Sequence, residues 1–309
     1  MTRFVTETLS PGLTRTWTIS NVVFEAKTPY QHILIGQTAH GRTLFCGDTE
    51  TGLERQSAEL TQLTYHEALM VPPLALAPAL NRVMILGSSE GPASQLALEA
   101  GAAHVDHVDI DLECVRACAE HLPYGYTPAD VEAALAGDGR LRLYAEDGHR
   151  FVQERLADLK HGRGAPYDVI VIDLPDETPR SGAQHNRLYG AEFLERCRDL
   201  LAPGGVVTVQ AGCPALWRQD TLRQALRRFN EVFNNVLYYG SWEHEWAFLT
   251  GTTLSEQDPL STLLQRRMPA LPNRLKTMDT HSAASAVVLP FHLQSAVMPT
   301  SASSLVQEQ

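Results

Sequence analysis

The sequence predicts an α/β protein in which a Rossmann-like parallel sheet, with helices on both faces, follows a small all-β segment. Three observations carry this expectation. From about residue 81, short apolar strands alternate with amphipathic helices; acidic residues recur where those strands end; and the first seventy or so residues are β-rich without that alternation.

In the β-rich part, WTISNVVFEA, YQHILIGQT and RTLFCG are dense in branched and aromatic residues, and AHG between the last two marks a hairpin. SAELTQLTYHEALMVPPLAL reads as a helix with apolar positions Leu60, Leu63, Ala68 and Leu69, interrupted by its prolines. RVMILG is then a buried strand followed by the helix ASQLALEAG, and HVDHVDID a strand followed by the helix LECVRACAEHL. LRLYAED and HRFVQERLADL repeat the pattern, as do YDVIVIDL and AEFLERCRDLLA, the latter ending at PGG before the strand VVTVQAG. Strands this uniformly apolar belong to a sheet buried on both faces. TLRQALRRFNEVF is a further helix, NVLYYGSW and EWAFLTGT a closing antiparallel pair, and TSASSLVQEQ a frayed tail. The expected organisation is an N-terminal β domain with linking helix (1–75), a nucleoside-binding domain (76–298) and a flexible tail (299–309).

Composition excludes several classes. Lys plus Arg total 25 against 36 Asp plus Glu, so a net charge of −11 argues against nucleic acid and suits a cationic small molecule. No apolar run reaches the ~20 residues of a membrane helix, and MTRFVTETLSPGL has no signal-peptide core, which points to a cytoplasmic protein without a membrane partner. The five cysteines form no CxxC, and Cys114 and Cys118 share a helix face, a spacing that reads as core packing rather than metal ligation.

The functional signal lies at the carboxyl ends of the strands, where α/β sheets bind ligands. Gly87-Ser88-Ser89-Glu90-Gly91 follows the first α/β strand, and glycine there lets a ligand approach the backbone. Asp109 ends the second strand, positioned to accept ribose hydroxyls. Asp147-Gly148 follows the third strand, where an adenine amino group would meet an acceptor, and Asp173 and Asp176 follow the fourth. A carboxylate after a strand is commonly the next helix's N-cap; four in series at one edge point to a site. Without a pyrophosphate-type GxGxxG, the pattern suits an adenosyl thioether better than a dinucleotide.

At these residues the chain resembles the polyamine aminopropyltransferases, the spermidine and thermospermine synthases. The segments that carry the likeness are Tyr30-Gln31, Tyr65-His66-Glu67, GSSEG, Asp109 to Asp111, Asp147-Gly148, DLPD from Asp173 to Asp176, LYGAEF, PGGVVTVQAG, EWAFLTGT and LKTMDTHSAASAVVLP. Glu90, DLPD and QAG look closer to the thermospermine branch. The resemblance implies a methyltransferase-type Rossmann-like sheet, decarboxylated S-adenosylmethionine as co-substrate, no metal, a small polycationic amine as partner and a homodimer. Carried over by position, Gln31, Asp109, Asp147, Gly148 and Asp173 contact the nucleoside or its reacting end. His66, Glu90 and Asp176 line the amine channel, with Asp173 the proton acceptor. AELTQL stands where the family usually has TERDEF, ETPRSGAQHN where Gly-Pro follows DxxDP, and Thr277-Met278 where an aromatic pair is usual, so the acceptor pocket is the least transferable part.

The chemistry needs these residue types. An alkyl ammonium, pKa about 10, must lose a proton before it attacks. Asp173 can attract it and then take that proton, while Asp176 holds the neighbouring ammonium and orients the nucleophile. His66 is read as a relay or hydrogen-bond partner. Glu90 near the donor's tail would repel the carboxylate of intact S-adenosylmethionine, or else cap the following helix. Trp242 and Trp246 are read as channel walls for cations and Phe248 as core, while Glu243-His244-Glu245 lacks helical ligand spacing for a metal. Two alternatives stay open: a methyltransferase or other S-adenosylmethionine-dependent tailoring enzyme on the same scaffold, and a non-catalytic polyamine-binding relative. A lid role for the 177–187 loop is left open by the sequence.

Overall fold

The computed structural model describes residues 2–48, 52–177, 184–240, 245–254 and 258–296. The chain opens with an antiparallel hairpin, β1 (Arg3–Ser10) and β2 (Leu13–Ile19), which stands as its own two-stranded sheet. A four-stranded antiparallel meander follows: β3 (Asn21–Lys27), β4 (His32–Thr38), β5 (Gly41–Asp48) and β6 (Gly52–Ala58). The AHG turn joins β4 to β5 as its composition predicts, with Thr38 paired to Gly41.

The linking helix, α1 (Gln62–Leu76), corrects two expectations. It starts after Leu60, which is 68% exposed and contributes nothing to an apolar face. It also runs through Pro72 and Pro73 instead of stopping before them. Proline's fixed φ is helical, and the cost is the two lost N–H bonds. Every residue from His66 to Leu76 is buried, and that packing outweighs the missing bonds.

The principal sheet has seven strands: β7 (Arg82–Gly87), β8 (His104–Asp109), β9 (Leu141–Ala145), β10 (Tyr167–Asp173), β11 (Leu201–Gln210), β12 (Asn235–Gly240) and β13 (Ala247–Thr252). Their order is β12-β13-β11-β10-β7-β8-β9; β7 to β11 run parallel, and β13 is antiparallel to both neighbours. The sheet is therefore mixed, and the closing antiparallel pair is the one the sequence predicts. Crossovers are made by α2 (Pro92–Glu99), α3 (Leu112–His121), α5 (Gly148–Lys160), α6 (Ala191–Asp199) and α7 (Asp220–Val232). The sequence reading passed over α4 (Pro128–Ala136), which carries a Thr127–Asp130 capping box, and α8 (Leu260–Arg267), α9 (Thr280–Ala286) and α10 (Phe291–Gln294).

Strand β10 shows how both faces are filled. Ile170 and Ile172 pack with Phe151, Phe193 and Phe229, while Val169 and Val171 pack with Leu69, Met70 and Leu263 on the other side. Period-2 alternation between two apolar layers makes the strand continuously hydrophobic. A third cluster joins Ile33, Ile35, Leu44 and Cys46 to Cys114, Ala117 and Cys118, so the four-stranded sheet sits against α3 beside the end of β8. All five cysteines are buried and none forms a disulfide. No helix among the described residues is long and apolar enough to cross a membrane.

Candidate active site

The sheet reverses direction of winding between β7 and β10, and the crevice opens there, at the strand carboxyl ends. Gly87 makes it possible. Its φ of 81° is left-handed, and a Cβ at this position would lie 2.2 Å from the Asp173 carbonyl oxygen. The loop thus crosses directly over the tip of β10, and Ser88 N–H donates to Asp173 O at 3.0 Å. Beneath it His107 donates from Nε2 to Gly87 O at 2.7 Å and accepts from Tyr126 at 2.8 Å. Burial holds the His107 pKa down at about 4, so the ring is neutral and fixed as a prop for the loop. Sequence reasoning missed it.

A cavity of about 260 Å³ occupies the crevice, roofed by β1, β2 and β6 of the N-terminal sheets. Gln31, Gly87, Glu90, Asp109, Asp147, Gly148, Asp173, Asp176 and Trp246 all line it. Asp109 accepts from Ser89 Oγ at 2.6 Å and from the Asp111 backbone N–H at 2.8 Å. Burial is the chief reason its pKa is pushed up to about 7. Gln31 donates to Asp111 Oδ2 at 2.9 Å, as does Thr28 at 2.8 Å, while Asp111 Oδ1 caps α3 through Cys114 N–H. Asp111 therefore ties the meander to the Asp109 end of the cavity, and its place in the DID segment was the available signal.

The acids divide between capping and the cavity. Asp147 does both: it caps α5 by accepting from Arg150 N–H, and it pairs with Arg187. Glu90 does not cap α2, whose N-cap is Gly91 in a left-handed conformation. Glu90 is 9% exposed and faces the cavity.

At the other end of the crevice Asp173 Oδ1 accepts from the Tyr65 hydroxyl at 2.5 Å. Burial raises the Asp173 carboxyl above the usual range, and the nearby Glu90 adds to this, while His66 and Tyr65 oppose it. His66 itself is 1% exposed and does not line the cavity. Its Nδ1–H donates to Gln62 O at 2.7 Å, leaving a buried Nε2 without a hydrogen-bond partner among the described residues. The expectation of His66 in the channel wall is corrected: Tyr65 lines the cavity, and His66 packs against it from behind, with 5.2 Å between ring centroids. Trp246 meets Tyr65 edge-on, 5.1 Å between ring centroids, and carries the Arg55 guanidinium 4.8 Å from its own ring. Phe248 is core, 1% exposed, against Tyr65. Asp176 reaches the cavity but is engaged by Arg218 at 3.1 Å and Gln210 at 2.8 Å. Arg218 had no place in the sequence reading. Trp242, Glu243, His244, the middle of the 177–187 loop and the tail lie outside the described residues.

Residues 62–242 match the spermine/spermidine synthase domain. The chain belongs to the spermine/spermidine synthase family. It is 29% identical over 296 residues to a polyamine aminopropyltransferase of Synechococcus sp. (strain JA-2-3B'a(2-13)), covering 90% of this chain and 88% of that one. Polyamine aminopropyltransferase 2 of Hyperthermus butylicus is 30% identical, with 84% and 80% covered. The fold is also that of spermidine synthase from Thermotoga maritima, with a TM-score of 0.74 at 18% identity over 96% of this chain and 94% of that one. A spermidine synthase in complex with the transition-state analogue AdoDATO superposes with a TM-score of 0.77, again at 18% identity.

Proposed function

We propose that this family member is a polyamine aminopropyltransferase, moving an aminopropyl group from decarboxylated S-adenosylmethionine to a di- or triamine and releasing methylthioadenosine. The observation that carries the reading is Asp173: a half-buried carboxylate at the end of β10 with a raised pKa, held by Tyr65 in the wall of the same cavity that Asp109 and Glu90 line. The donor brings a sulfonium whose propyl carbon is the electrophile. Asp109 and Asp147 take the ribose and adenine ends, and Glu90 takes the donor's ammonium. Asp173 accepts a proton from the incoming amine; the amine nitrogen then bonds to the propyl carbon as the carbon–sulfur bond breaks, and the electron pair stays on sulfur as a neutral thioether. Five buried free thiols suit a reducing compartment, which supports the cytoplasm as its place of action.

The test combines purified protein, decarboxylated S-adenosylmethionine and a panel of amines, with products identified by mass spectrometry. Methylthioadenosine with an aminopropylated amine is the expected result, and Asp173→Asn lowers kcat by roughly 10²–10⁴. Turnover of intact S-adenosylmethionine to S-adenosylhomocysteine, with none of the decarboxylated donor, would overturn the reading.

A further inference from the structure

Asp176 stands where a second ammonium could bind, yet Arg218 and Gln210 already engage it, so the pair presents little net charge. Across the cavity β6 supplies a different carboxylate. Glu54 is in register with Cys46, on the face of the meander that packs toward α3, and it lines the cavity. It has no side-chain hydrogen bond or ion pair among the described residues, and it feels the charges of Arg218, Asp176 and Glu7. Neighbouring cations are committed elsewhere. Arg15 pairs with Glu245, and Arg55, the next residue along the strand, lies over the Trp17 and Trp246 rings. Burial raises the Glu54 carboxyl above the usual range; Arg218 opposes this from a distance while Asp176 and Glu7 add to it, and no cation pairs with Glu54 directly among the described residues.

We propose that Glu54 is a specificity-determining residue that holds the far ammonium of a triamine acceptor while the reacting nitrogen sits at Asp173. The inference rests on the aminopropyl-transfer reading. A short diamine whose second ammonium stops beside Asp176 meets a carboxylate that Arg218 has neutralised. A longer amine reaches past that pair to a carboxylate that has no ion-pair partner of its own among the described residues. Arg218 therefore disfavours the short acceptor and Glu54 favours the long one, which is selection by both attraction and loss of attraction.

The experiment is calorimetric titration of the methylthioadenosine-saturated protein with spermidine and with putrescine, using wild type, Glu54→Gln and Arg218→Met, alongside kinetics with the decarboxylated donor. Wild type is expected to bind spermidine more tightly. Glu54→Gln should weaken spermidine binding about tenfold or more and leave putrescine binding within about twofold. In kinetics the loss appears in KM for spermidine, with kcat little changed. Arg218→Met, which does not depend on the folding of the first variant, should tighten putrescine binding by freeing Asp176. Spermidine binding insensitive to Glu54→Gln, or a wild type that prefers putrescine, overturns the inference. Absence of transfer with every amine, while spermidine binding still depends on Glu54, would instead sink the aminopropyl reading and leave the anchor standing.

Discussion

Tyr65 in α1 and Asp173 at the end of β10 meet at 2.5 Å, hydroxyl to carboxylate, across 108 positions of sequence. The tyrosine ring is fixed by edge contacts with His66, Trp246 and Phe248, so its hydroxyl has one place to point. Asp173 is thereby oriented and kept ionisable despite burial. A carboxylate on a rigid strand, aimed by a rigid helix, suits the proton-acceptor role proposed for Asp173.

Tyr65→Phe keeps the ring and deletes the donor. Burial raises the folded pKa of Asp173, so activity that needs its ionised form is lost as pH falls through that value. Removing a hydrogen bond that favours the carboxylate raises it further. The acid limb of the kcat/KM profile should move to higher pH. A limb that stays in place would show that Tyr65 only fills space.

The proposed contact of Asp109 with the donor makes donor binding pH-dependent. Its pKa in the free protein is about 7, raised mainly by burial, and ribose hydroxyls donating to it favour the ionised form. Nucleoside affinity should therefore rise from pH 6 to 8, with proton release on binding below pH 7. Calorimetry of methylthioadenosine in buffers of different ionisation heat measures this directly. For stability the sign reverses. A carboxyl whose folded pKa exceeds its unfolded value of 3.8 lowers stability progressively as pH rises from there to about 7. Asp109→Asn should thus melt higher than wild type at pH 8 while losing nucleoside affinity.

The parts of this arrangement that follow from local rules were legible in the sequence. Strands such as YDVIVID are apolar because both faces are covered, and the acids after them mark the crevice edge. What was not legible depends on partners distant in sequence. Pro72 and Pro73 break a helix by propensity, yet burial from His66 to Leu76 keeps α1 intact. His66 carries the same local signal as a channel residue, but the rotation of α1 turns it inward and presents Tyr65 instead. The pairing of Arg218 with Asp176 spans 42 positions, and no spacing rule reports it.

Asp147 separates a structural role from a binding one. It caps α5 through Arg150 N–H at 3.0 Å and lines the cavity. Asp147→Ala should lose about 1 kcal/mol of stability along with nucleoside affinity. Asp147→Ser keeps a capping oxygen, so its melting temperature should return toward wild type while affinity stays reduced. Equal loss of both properties in the two variants would mean that the ion pair with Arg187, not the cap, is the stabilising element.

Glu67, beside the residues that face the site, is a clasp for the C-terminal segment. It is 2% exposed; Oε1 accepts from Lys276 N–H at 2.8 Å, and Oε2 accepts from Thr277 N–H at 2.8 Å and Thr277 Oγ1 at 2.6 Å. The hydroxyl of Thr277 thus adds a third bond to the clasp. Glu67→Gln replaces one acceptor oxygen with an NH₂ that faces a backbone donor, leaving both unsatisfied at a cost of about 2 kcal/mol. Thermal unfolding should begin several degrees lower, with α9 and the 275–278 segment exchanging amide hydrogens faster, while KM for both substrates at 25 °C stays within about twofold. A fall in kcat at an unchanged melting temperature would assign Glu67 to the chemistry instead.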